Sequence, residues 1–177
     1  MAIKILAFLS FIVLSLNLFS QEAQPSFSKK EIEENYKNRI QQTTLLGQYI
    51  PKDLPDAINE LNKLTDEASR TKFKNMSENE AVHKLYFSLG RWITTNWGFY
   101  EGSRLSHYLR EVGISYPEDQ AVSLILAWHR SLNKKDINFR EIRDKIVEKR
   151  KKEKEERLKG GTIIKEEIKK TPTAVKN

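Results

Sequence analysis

The chain has no cysteine. That excludes a disulfide framework, thiolate metal sites and a cysteine nucleophile, so the core must hold without covalent staples. It also excludes a lipid anchor on a cysteine behind an export signal. Glycine and proline are sparse, 7 and 5 in 177 residues, and stand at isolated points rather than in linker runs. No H-E-x-x-H, G-x-S-x-G, Walker A or G-x-G-x-x-G string occurs, so metalloprotease, serine-hydrolase and nucleotide-binding readings lack a motif. Ser69 to Lys72 and Ser131 to Lys134 match S-x-x-K, but without the companion S-D-N and K-T-G strings both are chance matches. There is no internal repeat and no β-hairpin signal. No cofactor is expected.

Long apolar runs are also scarce, and the exception is informative. Lys4 is the only charge in residues 1–20, Ile5 to Leu16 is almost wholly apolar, and polar Gln21-Glu22-Ala23-Gln24 follows Ser20. A short charged start, an apolar stretch of about a dozen residues and a neutral exit describe a secretory signal peptide. The run is too short for a membrane span, which needs about 20 residues. We therefore expect cleavage near Ser20/Gln21 and a bacterial protein that is periplasmic or extracellular, with no span in its mature chain.

A net charge of either sign is missing from the middle of the chain. Residues 48–136 hold 12 Lys/Arg and 12 Asp/Glu, and residues 21–47 hold 4 of each. The positive excess of the mature chain lies after Asp136, so the overall net charge of +7 belongs to the tail. A neutral domain argues against nucleic acid as a partner, which calls for a basic patch on or beside a folded face. A cell-envelope component or a protein is the partner class left open.

Periodicity predicts an all-α fold: a compact bundle of about four helices with a charged C-terminal helical extension. The expected divisions are a signal peptide at 1–20, a partly helical leader at 21–47, a helical domain at 48–136, a charged helix at 137–159 and a disordered tail at 160–177. Asp53 with Pro55 starts a helix carrying Leu54, Ile58, Leu61 and Leu64 on one face. A polar connection from Thr65 to Asn75 follows. Ser77-Glu78-Asn79-Glu80 reads as a capping box. The helix behind it, about Glu78 to Asn96, carries Ala81, Leu85, Leu89 and Ile93 in a broad stripe that suits a central element. Ser103 caps a helix that Gly113 ends. Pro117 opens the next, rich in Leu124, Ile125, Leu126 and Trp128. From Arg140 to Lys159, 10 basic and 6 acidic residues include Glu141/Lys145 and Glu148/Lys152 pairs that support a solvated helix. So few apolar residues there predict an extension dispensable to the fold.

The string Trp92-Ile93-x-x-Asn96-Trp97-Gly98-x-x-x-Gly102-Ser103-Arg104-Leu105-Ser106, with Tyr49-Ile50-Pro51, Gly113-Ile114-Ser115-Tyr116-Pro117 and His129-Arg130-Ser131-Leu132-Asn133, resembles a small uncharacterised bacterial family known as a domain of unknown function. The resemblance covers roughly residues 49–135. At Tyr100 and Glu101 this chain departs from the family pattern, which has Trp and Gly. It implies a shared fold and no activity.

Aromatic and polar groups concentrate between Asn96 and His107. One reading is a ligand pocket with Trp97 and Tyr100 as walls and Asn96, Arg104 and His107 as polar contacts. The other, which we favour, is a packed corner in which Trp97 fills the core and Arg104 ties carbonyl or acidic groups. Catalytic residues are not assigned. Glu101 is the corner's one acid, and glycosidase chemistry needs a second carboxylate some 5–9 Å away. Metal ligation is not expected either: Glu80/His83 is a single E-x-x-H pair, where di-iron bundles use two. The functional expectation is a non-enzymatic binding or interaction module of the cell envelope or exterior, with a small glycosidase-like hydrolase at the Asn96–His107 corner as the alternative.

Overall fold

The computed structural model describes residues 28–170. The expected signal peptide, most of the leader and residues 171–177 of the expected tail lie outside the described residues. Contacts divide the chain into a unit ending at Glu33 and a unit from Glu34 onward. The described part of the first is the start of helix α1 (Lys29–Arg39). Ser28 Oγ accepts from the Glu31 amide at 3.2 Å, and the Glu31 carboxylate accepts from the Ser28 amide at 2.6 Å. Those amide and hydroxyl partners hold the Glu31 carboxyl below its ordinary range.

Among the described residues, the regular structure of the second unit is helical apart from one small antiparallel pair, β1 (Thr44–Leu45) and β2 (Gln48–Tyr49). Its further helices are α2 (Leu54–Leu64), α3 (Glu67–Lys74), α4 (Glu78–Leu85), α5 (Arg91–Asn96), α6 (Arg104–Glu111), α7 (Pro117–Leu132) and α8 (Phe139–Lys170). The all-α expectation holds. Local chemistry set the helix starts as read. Asp53 accepts from the Asp56 amide at 2.9 Å. Ser77 and Glu80 close a reciprocal box, and Ser103 accepts from the Ser106 amide. At the end of α6, Gly113 is left-handed (φ +97°) and the Ile114 amide reaches back to the Leu109 carbonyl at 2.8 Å, a Schellman closure.

Two elements escaped the sequence reading. The connection Thr65–Asn75 contains helix α3, capped by Asp66 on the Ser69 amide at 2.9 Å. Its one buried residue is Phe73, stacked on Trp128 at 4.5 Å, so no periodic stripe announces it. The hairpin was missed because each strand is two residues long, and because its two-residue turn begins with Leu46 rather than Asn or Asp.

The expected central helix is also corrected. Helices α4 and α5 are joined by a π-helical turn, Tyr86–Gly90. That wider turn inserts an extra residue, so the buried stripe runs Ala81, Gly90, Ile93, Trp97 rather than through Leu89. Leu85 and Leu89 are half-buried at its flank. The element contacted from every side is α7, which packs on α2, α3, α4, the π turn, α5, α6 and α8. It buries Ala121, Leu124, Ile125, Ala127 and Trp128. Polar groups are buried with them. Gln120 donates to the Ser106 and Ile114 carbonyls at 3.1 and 2.8 Å, tying α7 to the end of α6.

The charged extension begins inside the core. Ile142 and Ile146 of α8 are buried in the core. Arg130, at the end of α7 and 7% exposed, binds both Glu78 of α4 and Glu141 of α8. Arg150 pairs with Asp119 and covers the Tyr116 ring at 3.8 Å. The core therefore runs past the expected boundary at residue 136. Beyond Arg150 the side chains to Lys159 are exposed, as a solvated helix requires. The helix continues to Lys170, where the sequence reading placed the tail.

Candidate functional site

The Asn96–His107 corner begins where α5 ends. The Gly98 and Phe99 amides turn back to the Thr95 and Thr94 carbonyls at 3.2 and 2.9 Å, with Gly98 left-handed (φ +63°). Gly102 is left-handed as well (φ +94°), and a β-carbon there would stand 2.4 Å from the Tyr36 ring. A β-carbon on Gly98 would meet Arg39 Nη2 at 2.7 Å. These two glycines do more than permit a reversal: they let Tyr36 and Arg39 lie directly on the corner.

The corner disperses the five residues that the sequence reading grouped. Trp97 is fully buried, edge-on to Trp92 at 5.8 Å, and its indole N–H has no partner among the described residues. Asn96 Nδ2 donates to the Trp92 carbonyl at 2.9 Å and its side chain borders a groove. Tyr100 is 57% exposed and its hydroxyl donates to Glu118 Oε1 at 3.3 Å. Arg104 Nε donates to the Ile50 carbonyl at 2.7 Å, with its guanidinium 5.2 Å from the Tyr49 ring. His107 Nδ1 lies 2.9 Å from the Tyr36 hydroxyl, and Nε2 lies 3.5 Å from Glu111. Arg104 thus ties α6 to the segment before α2, while Tyr49 in turn donates to Asp56 at 2.7 Å. That Asp56 contact pushes the Tyr49 phenol up.

Sequence reasoning did not see the groove itself. It holds about 550 Å³ between the hairpin and the turn after α5, and its walls include Arg39, Leu45, Leu46, Gln48, Asn96 and Glu101. Arg39 is fixed on one wall: Nε donates to the Gly102 carbonyl at 2.9 Å and Nη2 lies 3.7 Å from Glu101. Leu46 is fully exposed and left-handed (φ +49°), followed by Gly47 (φ +79°). Two positive φ values make this a type I′ turn, which favours Asn-Gly. A leucine in that conformation carries a steric cost of about 1 kcal/mol, and here it gains no burial in return.

Sequence reasoning also passed over Arg130, the most buried Lys, Arg, Asp or Glu among the described residues. Arg130 makes a fork to Glu78 at 2.9 and 3.1 Å, contacts Glu141 at 3.3 Å through both terminal nitrogens, and donates to the Ile137 carbonyl at 3.0 Å. Arg130 holds the Glu78 carboxyl below its ordinary range, Lys145 and then Arg130 do the same for Glu141, and the carboxylates raise the guanidinium further. It joins α4, α7 and α8, and every polar contact is internal, which is the signature of a structural tie.

No group of three or more His, Asp or Glu among the described residues is placed to hold a metal ion. No helix among them is long and apolar enough to cross a membrane.

Residues 50–132 match the model of a family described as a domain of unknown function (DUF6794). The match starts at Ile50, whose carbonyl Arg104 holds, and ends at Leu132, the last residue of α7. The hairpin, α1 and α8 lie outside it. No curated protein and no solved structure matches the chain.

Proposed function

We propose that this protein is an exported, non-enzymatic binding module of the bacterial cell envelope or exterior, and that it engages its partner at the groove beside the hairpin. The observation that carries the reading is Leu46. A large apolar side chain held fully exposed, in a left-handed turn that Asn would fill without strain, is unfavourable to the free molecule. Backbone strain beside a groove is common where a chain meets a ligand. Leu46 projects beside a polar wall of Gln48, Thr95 and Asn96 and a fixed guanidinium at Arg39. An apolar anchor with a polar rim is the composition of a protein-binding patch.

Export rests on the apolar run Ile5 to Leu16 and its flanks. Sequencing the N-terminus of the protein from fractionated cells tests it: a chain starting near Gln21 outside the cytoplasm is expected, and soluble cytoplasmic protein with Met1 intact rejects it. Binding is tested with photo-leucine at position 46 in the producing cells. We expect a discrete cross-linked adduct that is absent when the label is moved to Val147, which is also exposed. Equal labelling from both positions rejects the groove.

The alternative, a small envelope hydrolase, draws on the Tyr36–His107–Glu111 chain of contacts, a nucleophile, a base and an orienting acid in outline. Two features count against it. Tyr36 is pressed against Gly102. Glu101, the acid that glycosidase chemistry would use, is two-thirds exposed beside Arg39, where a general acid needs a dry surround. A Tyr36→Phe variant that abolished hydrolysis of cell-wall material while keeping its melt would reinstate this reading.

A further inference from the structure

A second groove shares no lining residue with the first. It holds about 580 Å³ between the π turn, the start of α7 and α8, and its lining includes Tyr86, Phe87, Glu118, Asp119 and Arg150. We propose that it is a binding site for a neutral polysaccharide.

The site starts from the helix defect. π turns inside α-helices are found disproportionately at functional sites. Here the turn sets Phe87 outward, 72% exposed, with its ring edge-on to Tyr86 at 5.0 Å and 80°. The contact is edge to face, and the exposure of Phe87 leaves ring surface open to a ligand. Tyr100, 57% exposed, does not line the groove but reaches it through its hydroxyl, which donates to Glu118 of the lining. Apolar surface rimmed by fixed polar groups marks a ligand groove more often than a stray exposed residue does.

The charge pattern selects the ligand. Glu118, Asp119 and Glu153 face Lys149 and Arg150 along the same groove. Asp119 and Arg150 are already joined. Three carboxylates against two cations leave only a small net field for a polyanion or a polycation. They do give carboxylate acceptors and guanidinium donors at set positions beside flat aromatic rings. A pyranose unit matches both: its C–H face stacks on a ring and its hydroxyls take charge-assisted hydrogen bonds. The Tyr86 phenol, a hydroxyl donor at neutral pH like any tyrosine, is pushed up further by burial and by the Glu118 carboxylate.

The test uses the full chain and three neutral probes: the hexasaccharides of β-1,4-linked N-acetylglucosamine, β-1,4-linked glucose and α-1,4-linked glucose. We expect at least one to bind in calorimetric titration, and Phe87→Ala and Tyr100→Ala each to weaken it about tenfold. Both side chains are exposed, so the melting temperature of each variant should stay at the parent value. Leu46→Asn should leave saccharide binding unchanged, which separates this site from the hairpin groove. The proposal is overturned if none of the three probes binds, if binding survives both aromatic truncations, or if a lysine oligopeptide binds the groove in their place.

Discussion

Replacing Arg130 by alanine tests the largest electrostatic element of the fold. The side chain is 9% exposed and its guanidinium makes five hydrogen bonds, two of them in a fork to Glu78. Breaking a fully buried ion pair by removing one partner costs about 3–5 kcal/mol. The carboxylates here are less buried: Glu78 is 31% exposed and Glu141 39%. Both regain water when the guanidinium leaves, so we expect a loss of about 2–3 kcal/mol. Arg130→Met separates charge from packing, since methionine keeps most of the stem. If the pairing dominates, the two variants lose similar stability. Denaturant titration at neutral pH gives the magnitude, and its pH dependence gives the mechanism. The bond from Arg130 lowers the Glu78 carboxyl below its ordinary 4.5 in the folded state. Its contribution is therefore complete above about pH 4.5 and is lost as pH falls through the lowered folded value. The gap between parent and variant should be constant from neutral pH to about 5 and should close below 4.5. A gap smaller than about half a kcal/mol at neutral pH, or one that does not shrink on acidification, refutes the argument.

Leu109 is fully buried in α6, and Leu109→Ala should cost about 2–5 kcal/mol in the same titration; an unchanged midpoint would place it outside the core. Truncation after Glu148 removes Arg150 and its contacts with Asp119 and Tyr116 but spares Ile142, Ile146 and Glu141, so a cooperative melt should survive at lower temperature. Truncation after Asp136 removes all three, and calorimetry should find a broad transition or none; two equally sharp melts would return α8 to the status of an appendage. Leu46→Asn should raise stability by roughly half to one kcal/mol by relieving the left-handed strain, and a lower midpoint would mean that Leu46 packs on something in the free protein.

The helix caps were legible because capping is a local event. Asp53, Ser77, Ser103 and Gly113 act on amides and carbonyls within five residues of themselves, so their neighbours in sequence are their partners in space. The stripe through Glu78–Asn96 was legible only as far as the π turn, since one inserted residue rotates everything after it and leaves Leu89 at the flank. The helix Glu67–Lys74 and the hairpin left little trace, as each rests on one buried contact or two paired residues. At the corner, the sequence shows an aromatic and polar cluster but not its direction. Which way Tyr100, Arg104 and His107 turn depends on Glu118, Ile50 and Tyr36, between 18 and 71 residues away.

The sequence by itself determined the helical class, the main helix starts and stops, and the neutral balance of the domain against a basic tail. These follow from spacing, caps and charge, which need no distant partner. Tertiary structure alone decided that α7 is the hub, that Ile142 and Ile146 belong to the core, and that Arg130 is buried between two carboxylates. It alone opened the two grooves. Burial and cavity shape are sums over contacts between residues far apart in the chain, and such sums exist only once the helices have packed.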